Sequence, residues 1–168
     1  MTLIYAALLL AILAVTYVIL KRRPSLDQSD GPWPYYAKDT LTRTEQVLYH
    51  RLVAALPTYI VLAQVQVSRI LGVKKGFEFN AWNNRINRMS YDFVVCEKNF
   101  GVIAIIELDD KSHEKVSRIE ADAKKGRATA AAGIPLIRWQ ASALPDETSI
   151  RQALAKHMRP TSPSELIA

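Results

Sequence analysis

The stretch VIAIIELDDKSH, Val102–His113, decides how the fold is read. Its β-branched apolar run reads as a buried strand, yet it finishes in Glu107, Asp109 and Asp110, with His113 close behind. A strand core excludes charge. Carboxylates this close are therefore either a solvated turn or a site that uses their mutual repulsion.

Just upstream lies a second apolar run, YDFVVCE from Tyr91 to Glu97, joined to the first at Lys98 and Asn99. The pair reads as a hairpin. Pairing would bring Asp92, at the mouth of one strand, to the end of the next, where alternation sends Glu107 and Asp109 to one face with Leu108 opposite. Carboxylates gathered this way raise one another's pKa unless a hard divalent cation with oxygen ligands neutralises them, and Mg²⁺ (or Mn²⁺) is the expected ion. Taken singly, Asp92 reads first as a strand cap and LDDKS as a solvated turn; it is their combination that favours a site.

Further out, LTRTEQVLYHRLVAAL places Thr42 and Glu45 at capping-box spacing ahead of an apolar helical period, giving a first helix with Glu45 in its opening turn. YIVLAQVQV, residues 59–67, reads as a strand, and SRILGV as a helical turn before a long irregular stretch. After the hairpin, Ser117 to Gly133 forms an Ala-rich helix ending at Gly and Pro. IPLIRW then gives a strand and TSIRQALAKHM a last helix. The order α β β β α β α predicts an α/β sandwich with a mixed sheet.

Ahead of this domain, Leu3 to Leu20 carries no charge, Gly or Pro, and as a helix it matches the ~30 Å hydrocarbon core. It reads as a transmembrane helix. Lys21, Arg22 and Arg23 follow directly and no Lys or Arg precedes, so the positive-inside rule places the remainder of the chain in the cytoplasm as a single-pass protein of the inner (plasma) membrane. A signal peptide would carry a basic n-region and a small-residue cleavage site, and neither is present. The expected organisation is an anchor over residues 1–23, a Pro- and Ser-rich linker over 24–37, an α/β domain over 38–159 and a polar tail over 160–168.

The formal net charge of +6 points towards polyanions, whether nucleic acid or lipid surface. The lone Cys96 excludes a disulfide framework and a zinc finger. Between Gln66 and Ser90, Arg69, Lys74, Lys75, Arg85 and Arg88 face a single acidic residue, Glu78, and are interleaved with Phe77, Phe79, Trp82 and four Asn. Such a segment suits phosphates, bases and base edges, and equally suits an anionic membrane.

In order, the chain offers Glu45, Gln64, Asp92-Phe93, Glu107-Leu108-Asp109, His113, Asp122, and Gly133 to Arg138. This series resembles the PD-(D/E)XK nuclease superfamily, in particular the very-short-patch-repair type of endonuclease and related small bacterial domains. It looks most like the bacterial domain of unknown function 2726. The resemblance covers about Leu41 to Trp139 and implies a restriction-endonuclease-like αβββαβ core that hydrolyses phosphodiester bonds, with DNA the expected substrate ahead of RNA. It implies Asp92, Glu107 and Asp109 as metal ligands and Glu45, His113 and Asp122 as further catalytic residues; Gln64, together with Lys74, Lys75, Trp82, Arg85 and Arg88 of the basic segment, is the expected set of nucleic-acid contacts. The chain departs from the superfamily at one point: Asp109 stands where a Lys is usual, which leaves Lys111, Lys124 or Lys125 to supply that charge.

Overall fold

The computed structural model describes residues 2–21, 32–109 and 116–158. The chain divides into two compact units, Met1–Lys38 and Asp39–Ala168.

In the first unit the apolar run forms one helix, α1 (Thr2–Lys21). The hydroxyl of Thr16 donates to the Ile12 carbonyl one turn back, so this polar side chain is satisfied within the helix. Leu8, Leu9, Leu10, Ile12, Leu13 and Val15 are all exposed. Among the described residues no helix is long and apolar enough to cross a membrane. That departs from the span expected over Leu3 to Leu20. The backbone is helical throughout, but the side chains of Leu3 and Leu20 lie outside the described residues, and those described in α1 cover fewer positions than the ~20 a span requires. From Pro32 to Lys38 the chain has no regular structure and is exposed.

The second unit begins with α2 (Arg43–Ala55), and its start is set by the expected capping box. Thr42 Oγ1 accepts the Glu45 N–H at 3.3 Å while Glu45 Oε2 accepts the Thr42 N–H at 2.6 Å. Four strands follow: β1 (Ile60–Gln66), β2 (Ser90–Cys96), β3 (Val102–Asp109) and β4 (Leu136–Gln140). They form one sheet in sequence order, with β1–β2 and β2–β3 antiparallel and β3–β4 parallel. Two short helices, α3 (Val67–Ile70) and α4 (Phe79–Asn83), interrupt the connection between β1 and β2. The expected helical turn is α3. The stretch expected to be irregular gains α4.

The parallel pair β3–β4 needs a crossover, and α5 (Val116–Ala131) supplies it. A last helix, α6 (Glu147–Ala155), is capped by Asp146, whose carboxylate accepts the Ser149 N–H at 2.7 Å.

Helices cover both faces of the sheet. On one, Leu48 and Leu52 of α2 and Ile150 and Leu154 of α6 pack on Phe93, Val95, Ala104 and Ile106. On the other, Ala128 of α5, with Val67, Leu71 and Ile86 from the β1–β2 connection, packs on Tyr91, Val94 and Ile105. Because β2 and β3 are buried on both faces, they read as continuous apolar runs rather than alternating ones. The result is a mixed α/β architecture with a four-stranded mixed sheet flanked by helices. With this topology the last residues of β1, β3 and β4 and the first of β2 share one end of the sheet. Asp92, Glu107 and Asp109 all lie there.

Candidate active site

Glu107 is the centre of this end. It is 4 % exposed, the one buried charged residue among those described. Lys125 reaches it from α5, with Nζ donating to Glu107 Oε2 at 2.6 Å and to the Ser90 carbonyl at 3.2 Å. The other oxygen, Glu107 Oε1, is buried without a hydrogen-bond partner among the described residues. A buried carboxylate oxygen left unpaired is costly, so such an atom calls for an account. Burial, and secondarily the charge of Asp92, push the Glu107 carboxyl up to about 7, against the opposing pull of Lys125.

Asp92 reaches across from β2. Its Oδ2 accepts the Leu108 N–H at 2.8 Å, so a side chain takes a β3 backbone donor and is held against the strand that carries Glu107. Burial raises its pKa and the charge of Glu45 adds to this, while the Leu108 N–H, Lys125 and Gln64 pull it down. The electrostatic coupling of Asp92 to Glu107 and Glu45 brings together the three acidic residues singled out on β2, β3 and the first helix.

Gln64 links them. Its Nε2 donates to Glu45 Oε1 at 2.9 Å, and its Oε1 accepts the Ser90 hydroxyl at 3.5 Å. Gln64 sits in β1 with φ of 52°, a left-handed conformation unusual for a non-glycine residue and sparse inside a strand. The strand pairing accommodates it: Ala63 pairs Phe93 and Val65 pairs Tyr91, with no partner register at Gln64 itself.

Asp109 goes elsewhere. It shares a strand face with Glu107, as alternation predicts, but its carboxylate accepts from Arg138 Nη1 at 3.2 Å. The same nitrogen lies 2.8 Å from Asp122 Oδ2 on α5, so Arg138 bridges the two carboxylates. Burial acts to lower the Arg138 pKa, yet Asp122, Asp109 and Glu107 outweigh it and the guanidinium is held more firmly charged. Asp122 thus orients a basic side chain, Arg138. His113 lies outside the described residues.

Among the described residues, no group of three or more His, Cys, Asp or Glu is placed to hold a metal ion. Asp109 is therefore not gathered with Asp92 and Glu107 into one ligand set. The remaining donors fit a hard cation at the level of a pair, because Asp92 and Glu107 are coupled like charges and Glu107 Oε1 lacks any other partner among the described residues.

Lys125 is the residue that sequence left open among three lysines. Its signal was helical spacing: Asp122, Lys125 and Thr129 stand at i, i+3 and i+7, one stripe of α5, and Thr129 is fully buried. The Thr129 hydroxyl donates to the Lys125 carbonyl at 2.7 Å and so accepts from the Tyr91 hydroxyl at 2.7 Å. That chain pins the turn of α5 carrying Lys125 to the strand residue beside Asp92. Neither Tyr91 nor Thr129 stood out in the sequence.

Residues 37–158 match the family described as "Protein of unknown function (DUF2726)". The chain belongs to this family. The match covers the whole sheet, α2, α5 and α6, and so every described side chain of the Glu45–Gln64–Asp92–Glu107–Lys125 network of this DUF2726 domain. No curated protein and no solved structure matches the chain.

The basic segment of the DUF2726 domain leaves the sheet at the same end as this network. Lys74, Lys75, Arg85 and Arg88 are exposed, and the Arg85 guanidinium lies 4.1 Å over the Trp82 ring. Gln64, grouped with these residues from the sequence, instead sits within the carboxylate network.

Proposed function

We propose that this DUF2726 protein is a Mg²⁺- or Mn²⁺-dependent nuclease whose substrate is DNA, with RNA the alternative, and that its restriction-endonuclease-like core is tethered by its N-terminal helix to the inner membrane with the domain on the cytoplasmic side. The observation that carries the reading is Glu107: a buried carboxylate with one oxygen on Lys125 and the other without a partner among the described residues, coupled to Asp92 on the neighbouring strand.

In this reading Asp92 and Glu107 hold the cation. When bound, a divalent ion polarises the scissile phosphate and lowers the pKa of an attacking water. The Leu108 N–H and Gln64 fix the orientation of Asp92. Lys125 supplies the positive charge that Asp109, at the usual lysine position, cannot: its ammonium is available to developing negative charge on the phosphate. Arg138 draws Asp109 and Asp122 away from the pair and limits the negative charge facing a polyanion. Glu45 adds its charge to that of Asp92 and links α2 to the site through Gln64.

The test is divalent-dependent cleavage of mixed single- and double-stranded DNA by the full-length protein in detergent. Asp92→Ala, Glu107→Ala and Lys125→Ala each reduce the rate by at least ~100-fold if the reading holds. Cleavage that survives all three substitutions overturns it.

A second reading rests on the salt bridges themselves. Lys125 occupies Glu107 Oε2 and Arg138 occupies Asp109, an arrangement that also suits a nucleic-acid-binding module of the same fold without hydrolysis. DNA binding in Mg²⁺ with no cleavage of any substrate selects it.

A further inference from the structure

Strands β1 and β2 are antiparallel neighbours, yet residues 67–89 separate them, where a hairpin commonly uses two to five. A long ordered excursion of this kind is usually functional. This one is built to be rigid at its base and apolar at its tip. Leu71 and Ile86 are buried under it, the Val67 N–H donates to the Met89 carbonyl at 2.9 Å, and the Gln66 side chain donates to the Asn87 carbonyl.

At the tip, Gly76 takes φ of +91° and turns the chain, and the aromatic residues beyond it point outwards. Phe77 is 58 %, Phe79 59 % and Trp82 44 % exposed. Phe77 stands edge-on to Trp82 with ring centroids 5.9 Å apart, and Arg85 stacks over the Trp82 ring. Three large rings held in water by an anchored loop are an unfavourable surface unless something covers them.

The loop is also wired to the site. Ser90, where it rejoins the sheet, gives its carbonyl to Lys125 and its hydroxyl to Gln64. A strand of substrate lying at Asp92 and Glu107 would meet the loop where it rejoins the sheet.

Resting on the nuclease reading, we propose that the tip of this loop is a stacking platform for unpaired bases, so that the substrate is single-stranded or locally opened DNA rather than intact duplex. The local balance of five basic residues against Glu78 suits a polyanion. An intact duplex offers phosphates to such a surface but keeps its base faces stacked on each other, leaving the rings exposed. Unpaired bases present their π-faces to Phe77, Phe79 and Trp82, with Arg85 adding its planar cation.

The experiment is fluorescence anisotropy on the full chain in detergent, with labelled 20-nucleotide single strands and 20-base-pair duplexes, in EDTA so that binding is read apart from cleavage. The single strand binds at least ~10-fold tighter, and Phe79→Ala or Trp82→Ala each removes roughly tenfold of that affinity while changing duplex binding less than about twofold. Both residues are exposed, so the variants keep the fold. Equal affinity for the two forms, or affinity for the single strand untouched by both variants, overturns the inference while leaving the nuclease reading standing. Binding as described without cleavage in Mg²⁺ or Mn²⁺ sinks the nuclease reading and leaves the platform. Affinity untouched by the variants, together with photocrosslinking of position 79 to anionic headgroups in nanodiscs, makes the loop a membrane contact and refutes the proposal.

Discussion

Lys125 Nζ and Glu107 Oε2 lie 2.6 Å apart at the sheet end, a partly buried ion pair between helix α5 and strand β3 whose carboxylate keeps one oxygen without a partner among the described residues. A pair of this kind is weak evidence for stability, since desolvating both charges offsets most of their attraction. Breaking it from one side is another matter.

Lys125→Ala leaves the Glu107 carboxylate buried and uncompensated. The expected loss is about 3 kcal/mol at pH 8, read by urea unfolding in EDTA. The double variant Lys125→Met with Glu107→Gln recovers most of it, because neither charge is then buried. Equal losses in the single and double variants would show that the pair is not coupled.

Stability depends on pH through Glu107. Its carboxyl titrates near 7 in the folded protein and near 4.5 when unfolded, so between those values the folded state binds more protons. Stability accordingly falls as pH rises from about 4.5 to about 7 and is lowest above that window. Glu107→Gln flattens this slope. An unchanged slope in urea titrations of the variant at pH 5, 6, 7 and 8 would move the effect to another group.

Cation binding competes with the proton on Glu107. Calorimetric titration of Mn²⁺ at pH 7, in two buffers of different ionisation enthalpy, is expected to show proton release, because binding favours the charged carboxylate. Asp92→Asn and Glu107→Gln weaken Mn²⁺ by at least ~10-fold. Asp109→Asn changes it less than about threefold, since Arg138 already holds that side chain. A loss in Asp109→Asn equal to that in Asp92→Asn would restore Asp109 as a ligand.

Gln64 tests whether its backbone is held against its preference. Gln64→Val puts a β-branched residue at φ of 52° and costs about 2 kcal/mol or more. Gln64→Gly relieves the backbone and stays within roughly 1 kcal/mol of the parent while losing the link to Glu45. Circular-dichroism melts of the two variants that coincide would remove the backbone argument.

Much of the fold was legible without coordinates because its signals are local. The Thr42–Glu45 box, the two apolar runs around Lys98 and Asn99, and the Gly–Pro stop after the Ala-rich helix act within a few residues. Helix α4 was not legible: FNAWN is short, rich in Asn and has no side-chain cap. The site was legible in part. Period-2 alternation put Glu107 and Asp109 on one face, and hairpin pairing put Asp92 beside them, but nothing local said that Arg138, from a parallel strand a whole crossover away, would claim Asp109.

By itself, then, the sequence determined the order of elements, the apolar N-terminal helix and which strand ends carry carboxylates, since hydrophobic period and capping are properties of neighbouring residues. Only the tertiary structure decided which lysine meets Glu107. Lys124 and Lys125 differ by about 100° around a helix, and the packing of Ala128 and Thr129 against Tyr91 and the sheet sets the rotation of α5 that turns Lys125 inward.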